Sequence, residues 1–394
     1  MAVGITTRLI LAPFSGHGDN EAFFLSAQHF LFAGFDFYYF TSTRAGAWVY
    51  PPVWLWITTG TYLASSSPPT YFTPLFLLLM KAPLIIADVI VAYVLYTLLG
   101  GKKGRFAAGF WLLNPMSIFI TSIFGQFDPL VPAFLALSVL GLTRSKISAG
   151  GILYGTAVMT KQHAIFAAPI LAACVYRKNG RNCALKFALA SIVACFFISL
   201  PFLLSGARQI YLRDVWMTRS GVDYDDLYCQ FAGIFQFLSW IHDRFKIELL
   251  SLFSLSYPML FFMLGTATGM TFLCRKIDYM RACLMSTAAF LTLSWYVNPQ
   301  YLVIFMPFMI YDVLAHNESR LWLVTVLLPF LWPLSTDIGG TYFKDSSLIL
   351  IPPLIGDSGI AISSLVFFIF LSTYVISRMA ECFESNGLGA TDGH

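Results

Sequence analysis

Residues 74–100 read PLFLLLMKAPLIIADVIVAYVLYTLLG, and this stretch decides the fold class. It exceeds the ~20 apolar residues with which an α-helix crosses a bilayer, and only Lys81 and Asp88 interrupt it. Seven apart, these two share one helix face about two turns from each other. Lys81 reads as a snorkelling side chain and Asp88 as a structural partner between helices. Comparable runs occupy 2–13, 106–122, 129–143, 147–161, 164–176, 183–204, 249–274, 279–296, 300–315, 321–336 and 358–377. Together they predict an all-α, polytopic membrane helix bundle of about 12 transmembrane helices. Residues 1–378 form one transmembrane domain and 379–394 a polar cytoplasmic tail. The run 2–13 is the exception. At ~12 residues and about 18 Å of helix it falls short of ~30 Å of hydrocarbon. It is either a half-length helix sheltered by its neighbours or the end of a longer one.

Composition agrees along the whole chain. Of 394 residues, 58% are hydrophobic and 11% charged, where a soluble chain carries roughly 25% charged residues. The 38 Phe suit lipid-facing and interfacial packing. A net charge of +4 forms no continuous basic patch, so no nucleic-acid partner is expected. The 7 Cys are scattered without a CxxC pair and read as small core residues. Arg8 interrupts the first apolar run, which argues against a cleavable signal peptide.

Orientation follows from the loops. Alternate loops carry Lys102, Lys103 and Arg105; Arg144 and Lys146; Arg177, Lys178 and Arg181; Arg275, Lys276 and Arg281; Arg320; and Arg378. Opposite them lie two long segments, 14–73, whose single basic residue is Arg44, and 205–248. The positive-inside rule places the first set in the cytoplasm and both long segments outside.

Segment 14–73 opens with Ser15-Gly16-His17-Gly18-Asp19-Asn20-Glu21. Asp19 or Asn20 is placed to cap a helix ending at Ala33 before Gly34. A second interfacial helix is expected over Val53–Ala64, after Tyr50-Pro51-Pro52. The acids Asp19 and Glu21 have two readings, a capping pair or a general base held where a lipid-linked substrate meets water. Three further hairpins place polar groups at the same outer depth: Phe124-Gly125-Gln126-Phe127-Asp128, Lys161-Gln162-His163 and Asn298-Pro299-Gln300-Tyr301. Each alone is an ordinary polar cap. Their recurrence on one side favours a site, since ionisable groups at membrane depth are costly. Lys161 and His163 suit a phosphate by charge-assisted hydrogen bonds.

GDNEA (18–22), YPP (50–52), FGQFD (124–128), KQH followed by AAP (161–169) and WYVNPQYL (295–302) occur in this order. The series resembles the ER glucosyltransferases of N-glycan assembly, which use dolichyl-phosphate-glucose, and the related GT-C mannosyltransferases. The resemblance implies a GT-C-like fold with interfacial helices in the first outer loop. It also implies that Asp19 is the general base and Glu21 the second acid of its motif, that Lys161 and Gln162 are the family's KQ pair, and that Gln126 is its conserved amide. Asp128 stands where the family has Asn, and Asn298-Pro299-Gln300 replaces a His-Glu-Lys, removing a cation. Arg208 or Arg213 of the second outer segment is a candidate to compensate.

The resulting expectation is an inverting hexosyltransferase. It moves glucose or mannose from a dolichyl- or polyprenyl-phosphate carrier to a lipid-linked glycan acceptor, on the lumenal or extracellular side of the ER or cell membrane. Asp19 and Glu21 are the catalytic candidates. Lys161, Gln162, His163, Asn298, Gln300, Arg208 and Arg213 are donor or phosphate contacts, and Tyr50, Gln126, Asp128 and Tyr301 acceptor or sugar contacts. No cofactor, nucleotide or metal is expected; Asp223-Tyr224-Asp225-Asp226 reads equally as solvated charge. The rival reading is a transporter or lipid-linked-sugar flippase, against which stands the lack of an internal repeat.

Overall fold

Prolines and glycines punctuate several of the apolar runs, and the helices follow that punctuation. The computed structural model describes residues 1–44, 48–68, 70–217, 234–247, 250–273, 277–294, 297–317, 325–326, 341–343, 365–366, 368–370, 372–374 and 376–377. Pro74 opens α5 (Pro74–Leu99) at a position where a missing N–H costs nothing, and Gly100 at φ 65° closes it. Pro52 likewise opens α4 (Pro52–Ala64). Asn114 ends α6 (Gly101–Leu113) and caps α7 (Pro115–Phe124), accepting from the N–H groups of Met116 and Ser117 at 3.0 and 3.3 Å. The Asn114-Pro115 break bends this pair by 47°.

The remaining helices are α1 (Ala2–Leu11), α2 (Gly18–Ala33), α3 (Phe37–Arg44), α8 (Leu130–Thr143), α9 (Ile147–Thr160), α10 (Ala168–Asn179), α11 (Arg181–Leu204), α12 (Arg208–Leu212), α13 (Ile234–Phe245), α14 (Ser256–Leu273), α15 (Tyr279–Leu293) and α16 (Leu302–His316). By length and composition, α5 and α11 are able to cross a membrane, as is the bent pair α6–α7 taken as one span. Helices α1, α8, α9 and α16 are apolar but shorter. Each expected run up to residue 315 meets a helix. Of the expected run 321–336 only 325–326 are described, of 358–377 half the residues are, and the tail 379–394 lies outside the described residues. Three residues of β1 (Ser15–His17) pair antiparallel with β2 (Thr341–Phe343), Ser15 opposite Phe343, a small departure from an all-helical chain.

Helix α11 shows how the bundle meets lipid. Leu185, Leu189, Ile192, Phe196 and Phe197 form an exposed apolar stripe along one side. On its other side α9 approaches to backbone contact. A Cβ built on Gly151 would stand 2.5 Å from the Phe187 carbonyl oxygen, and one on Gly155 2.5 Å from that of Ser191. This four-residue spacing of glycines is how membrane helices pack closely without a hydrophobic driving force between them.

Among the described residues, two buried charge pairs join neighbouring helices. Arg8 on α1 bonds Asp88 at 2.8 Å and Ser117 at 2.9 Å, all buried, so Asp88 is the interhelix partner expected of it. Helix α1 is continued by one tight turn, Ala12–Phe14. Arg281 and Asp312 join α15 to α16 at 2.6 Å. Lys81 corrects the sequence reading. It does not snorkel; its ammonium is fully buried and donates to the carbonyls of Ala12, Ser15, Ser122 and Ile123 at 3.1, 2.6, 2.9 and 3.2 Å.

Among the described residues, several of the basic loops gather at one end, where a cavity touches Leu98, Thr143, Ser145, Lys178, Asp278 and Tyr311 and Lys103 bonds the Leu314 carbonyl and Asn317. The polar hairpins meet at the other.

Candidate active site

The site is assembled from chain breaks at that second end. After α1 the chain turns through Ala12–Phe14, runs extended through Ser15–His17 and enters α2. Neither Asp19 nor Asn20 is the N-cap. His17 takes that place, its Nδ1 accepting from the Asp19 N–H at 3.1 Å, while Asn20 Oδ1 accepts from the His17 N–H at 2.9 Å. Asn20 Nδ2 also donates to the Phe124 carbonyl at 3.1 Å. Gly125 follows at φ 75°, left-handed, and a Cβ there would lie 2.8 Å from Lys81 Cε and 2.9 Å from Asn20 Nδ2. Lys81 and Asn20 thus fasten segment 12–20 to segment 122–125.

That fastening brings Gln126 to Asp19. The buried amide Nε2 donates a hydrogen bond to Asp19 Oδ2. The Asp19 side chain remains 45% exposed, with His17 Nδ1 3.4 Å from the same oxygen. A carboxylate oriented by an amide yet open to solvent can accept a proton from an approaching hydroxyl.

Phe127 turns inward, stacking on Trp54 at 5.2 Å with edge contacts to Tyr50 and Phe23. Behind it Asp128 is fully buried and pairs with Lys161 Nζ at 2.6 Å. The ammonium lies 4.0 Å from the Tyr301 ring centroid, 5.0 Å from Phe127 and 5.7 Å from Tyr50, so three rings and one carboxylate surround it. Burial pushes the Asp128 carboxyl up from its ordinary value; the Lys161 ammonium opposes this and the nearby Asp19 charge adds to it.

Lys161 is the extended residue between α9 and the turn Gln162–Ala167. Gln162 Nε2 donates to the carbonyls of Val49 at 2.9 Å and Val215 at 3.2 Å, tying both long outer segments to this hairpin. His163 stacks on Phe290 at 4.8 Å and lies 5.0 Å from Tyr301. A cavity of about 400 Å³ opens beside them, lined by Tyr50, Lys161, Gln162, His163, Ile165, Phe166, Val215, Trp216, Tyr257, Phe261, Phe290, Ser294 and Tyr301.

The expected residues therefore divide. Asp19, Gln126, Asp128, Lys161, Gln162, His163, Tyr50 and Tyr301 come together. Asn298 contributes backbone, its carbonyl accepting from the Tyr301 N–H at 3.0 Å in the turn that presents the Tyr301 ring, and Gln300 is buried beside it. Glu21 is exposed and, two residues beyond Asp19, points to another side of α2. Arg208 is exposed, and Arg213, 57% exposed, is bonded to Asp214 at 2.7 Å and Ser42 at 2.8 Å; neither lines the cavity. Trp295 and Tyr296 of the last motif and Asp223–Asp226 lie outside the described residues. Lys81, His17, Trp216, Tyr257 and Phe290 were not among the expected site residues. Lys81 alone carried a signal, as a charge within an apolar run.

The sequence pattern of glycosyltransferase family 87 matches residues 48–299. That range holds the YPP, FGQFD and KQH motifs and begins after Asp19. No curated protein matches the chain. Among solved structures, ArnT from Cupriavidus metallidurans bound to undecaprenyl phosphate is similar over 98% of this chain and 77% of its own, at 14% identity and a TM-score of 0.49.

Proposed function

The chain belongs to glycosyltransferase family 87, and we propose that it transfers a hexose, glucose or mannose, with inversion from a dolichyl- or polyprenyl-phosphate carrier to a lipid-linked glycan. The carrying observation is that the segment Gln126–Asp128 links two devices, orienting the Asp19 carboxylate through Gln126 and holding Lys161 of the aromatic cavity through Asp128. An acceptor hydroxyl approaches Asp19, gives up its proton to the carboxylate and attacks the anomeric carbon. The bond from that carbon to the phosphate oxygen breaks on the opposite face, and its electron pair stays with the phosphate. A lipid phosphate is already a good leaving group, so the protein supplies position and charge screening rather than new covalent chemistry.

The cavity suits a lipid donor. Its lining is largely aromatic and aliphatic, and Ile165 and Phe261 at its wall are 46% and 61% exposed on the apolar surface of the bundle. A polyprenyl tail lies along that opening with its phosphate toward Lys161 and His163. Positive-inside counting puts this end on the lumenal or extracellular side of the ER or cell membrane. The test is purified protein in vesicles supplied with polyprenyl-phosphate-glucose or polyprenyl-phosphate-mannose and a lipid-linked acceptor. Hexose transfer supports the reading; movement of the carrier lipid between leaflets without transfer supports a flippase in its place.

A further inference from the structure

Lys161 is, among the described residues, the one lysine or arginine lining the cavity, and its charge is already matched by Asp128 at 2.6 Å. The pairing is unusual for a group that is to hold an anion. Asp128 Oδ1 occupies one of the three ammonium donors, and Asp128 Oδ2 is buried with no hydrogen-bond partner. An amide in this position would accept from Lys161 through its oxygen without cancelling the cation. A carboxylate weakens the pull of the ammonium on any anion in the cavity, and burial keeps that influence from being screened by salt.

Resting on the transfer reading above, we propose that Asp128 acts through Lys161 as a positioning residue that lets the spent carrier leave. Before transfer the carrier is a phosphodiester with one negative charge. After the anomeric C–O bond breaks, it is a phosphomonoester that has gained the bonding electron pair; its second ionisation lies near about pH 6, so it carries close to two charges at neutral pH. The acceptor proton has meanwhile gone to Asp19. A lone buried ammonium binds the doubly charged product more tightly than the singly charged donor, and product would accumulate. With Asp128 in contact, the pair has no net charge and the Asp128 carboxylate opposes the added phosphate charge. Donor and spent carrier are then held about equally.

The experiment is equilibrium binding of a polyprenyl monophosphate and of its methyl phosphodiester, with the same chain length, to the full-length protein in detergent at neutral pH. The wild-type protein is expected to bind the two within threefold. Asp128→Asn, nearly isosteric, is expected to favour the monophosphate by at least tenfold and to show stronger inhibition by it during turnover. Its ligand-free form unfolds at lower temperature, because it keeps an unmatched buried cation, and the monophosphate raises that temperature more than in the wild type. A tenfold monophosphate preference in the wild-type protein, or an unchanged ratio in Asp128→Asn, overturns the proposal while leaving the transferase reading standing. If the variant is not recovered folded, the wild-type ratio decides alone. Binding of neither lipid by the wild-type protein removes the donor site, and both readings fall.

Discussion

Lys81, fully buried two turns into α5, donates to the Ser122 carbonyl at 2.9 Å while also holding the Ser15 carbonyl at 2.6 Å. One ammonium therefore joins the segment that leads into Asp19 to the segment that leads into Gln126. Replacing it with methionine removes this donor from the Ala12, Ser15 and Ile123 carbonyls, while Ser122 keeps the Ser15 hydroxyl; each buried carbonyl left unsatisfied costs about 1–3 kcal/mol. Lys81→Met is expected to unfold at a clearly lower temperature and to lose at least tenfold in kcat. Thermal unfolding and steady-state kinetics check both; unchanged stability would mean that the carbonyls have other partners.

Gln126 should affect rate more than affinity. Its amide orients Asp19 without lining the cavity. Gln126→Leu is expected to lower kcat by ten- to a hundredfold with the donor KM within about threefold, the pattern for an interaction made mainly in the transition state. A rise in donor KM alone would place Gln126 on the carrier instead.

Glu21 separates the two acids of the motif. Both carboxylates were candidates from sequence, but a helix turns roughly 100° per residue, so residues two apart do not share a face. Glu21 is exposed while Asp19 meets Gln126. Glu21→Gln is therefore expected to keep turnover within about threefold of wild type.

The close crossing of α9 and α11 is tested away from the site. Gly155→Leu forces a side chain against the Ser191 carbonyl, 2.5 Å from where its Cβ would stand. Overpacking of this kind costs typically about 1–3 kcal/mol. A lower unfolding temperature in detergent is expected, with donor KM unchanged in protein that remains folded.

Much of the site was legible because polar residues at helix ends are conspicuous in so apolar a chain. Gln126, Asp128, Lys161 and Tyr301 stand out for that reason, and alternation of loops placed them at one end, where they meet. Lys81 was misread because its partners are backbone carbonyls at chain breaks, which no side-chain pattern announces. Arg208 and Arg213 were enlisted to replace a missing cation, yet neither lines the cavity, and Arg213 is held by Asp214 and by Ser42 of the first outer segment. The walls formed by Trp216, Tyr257 and Phe290 come from distant segments, and aromatic residues are too common here for any one to signal a pocket.

The most direct measurement is hexose transfer by Asp19→Asn, assayed beside equilibrium binding of the polyprenyl phosphate carrier. Turnover below about 1% of wild type is predicted, since general-base contributions reach 10²–10⁴-fold, with carrier binding and unfolding temperature preserved. Turnover near the wild-type rate in that variant would contradict the assignment of the attacking hydroxyl's proton to Asp19.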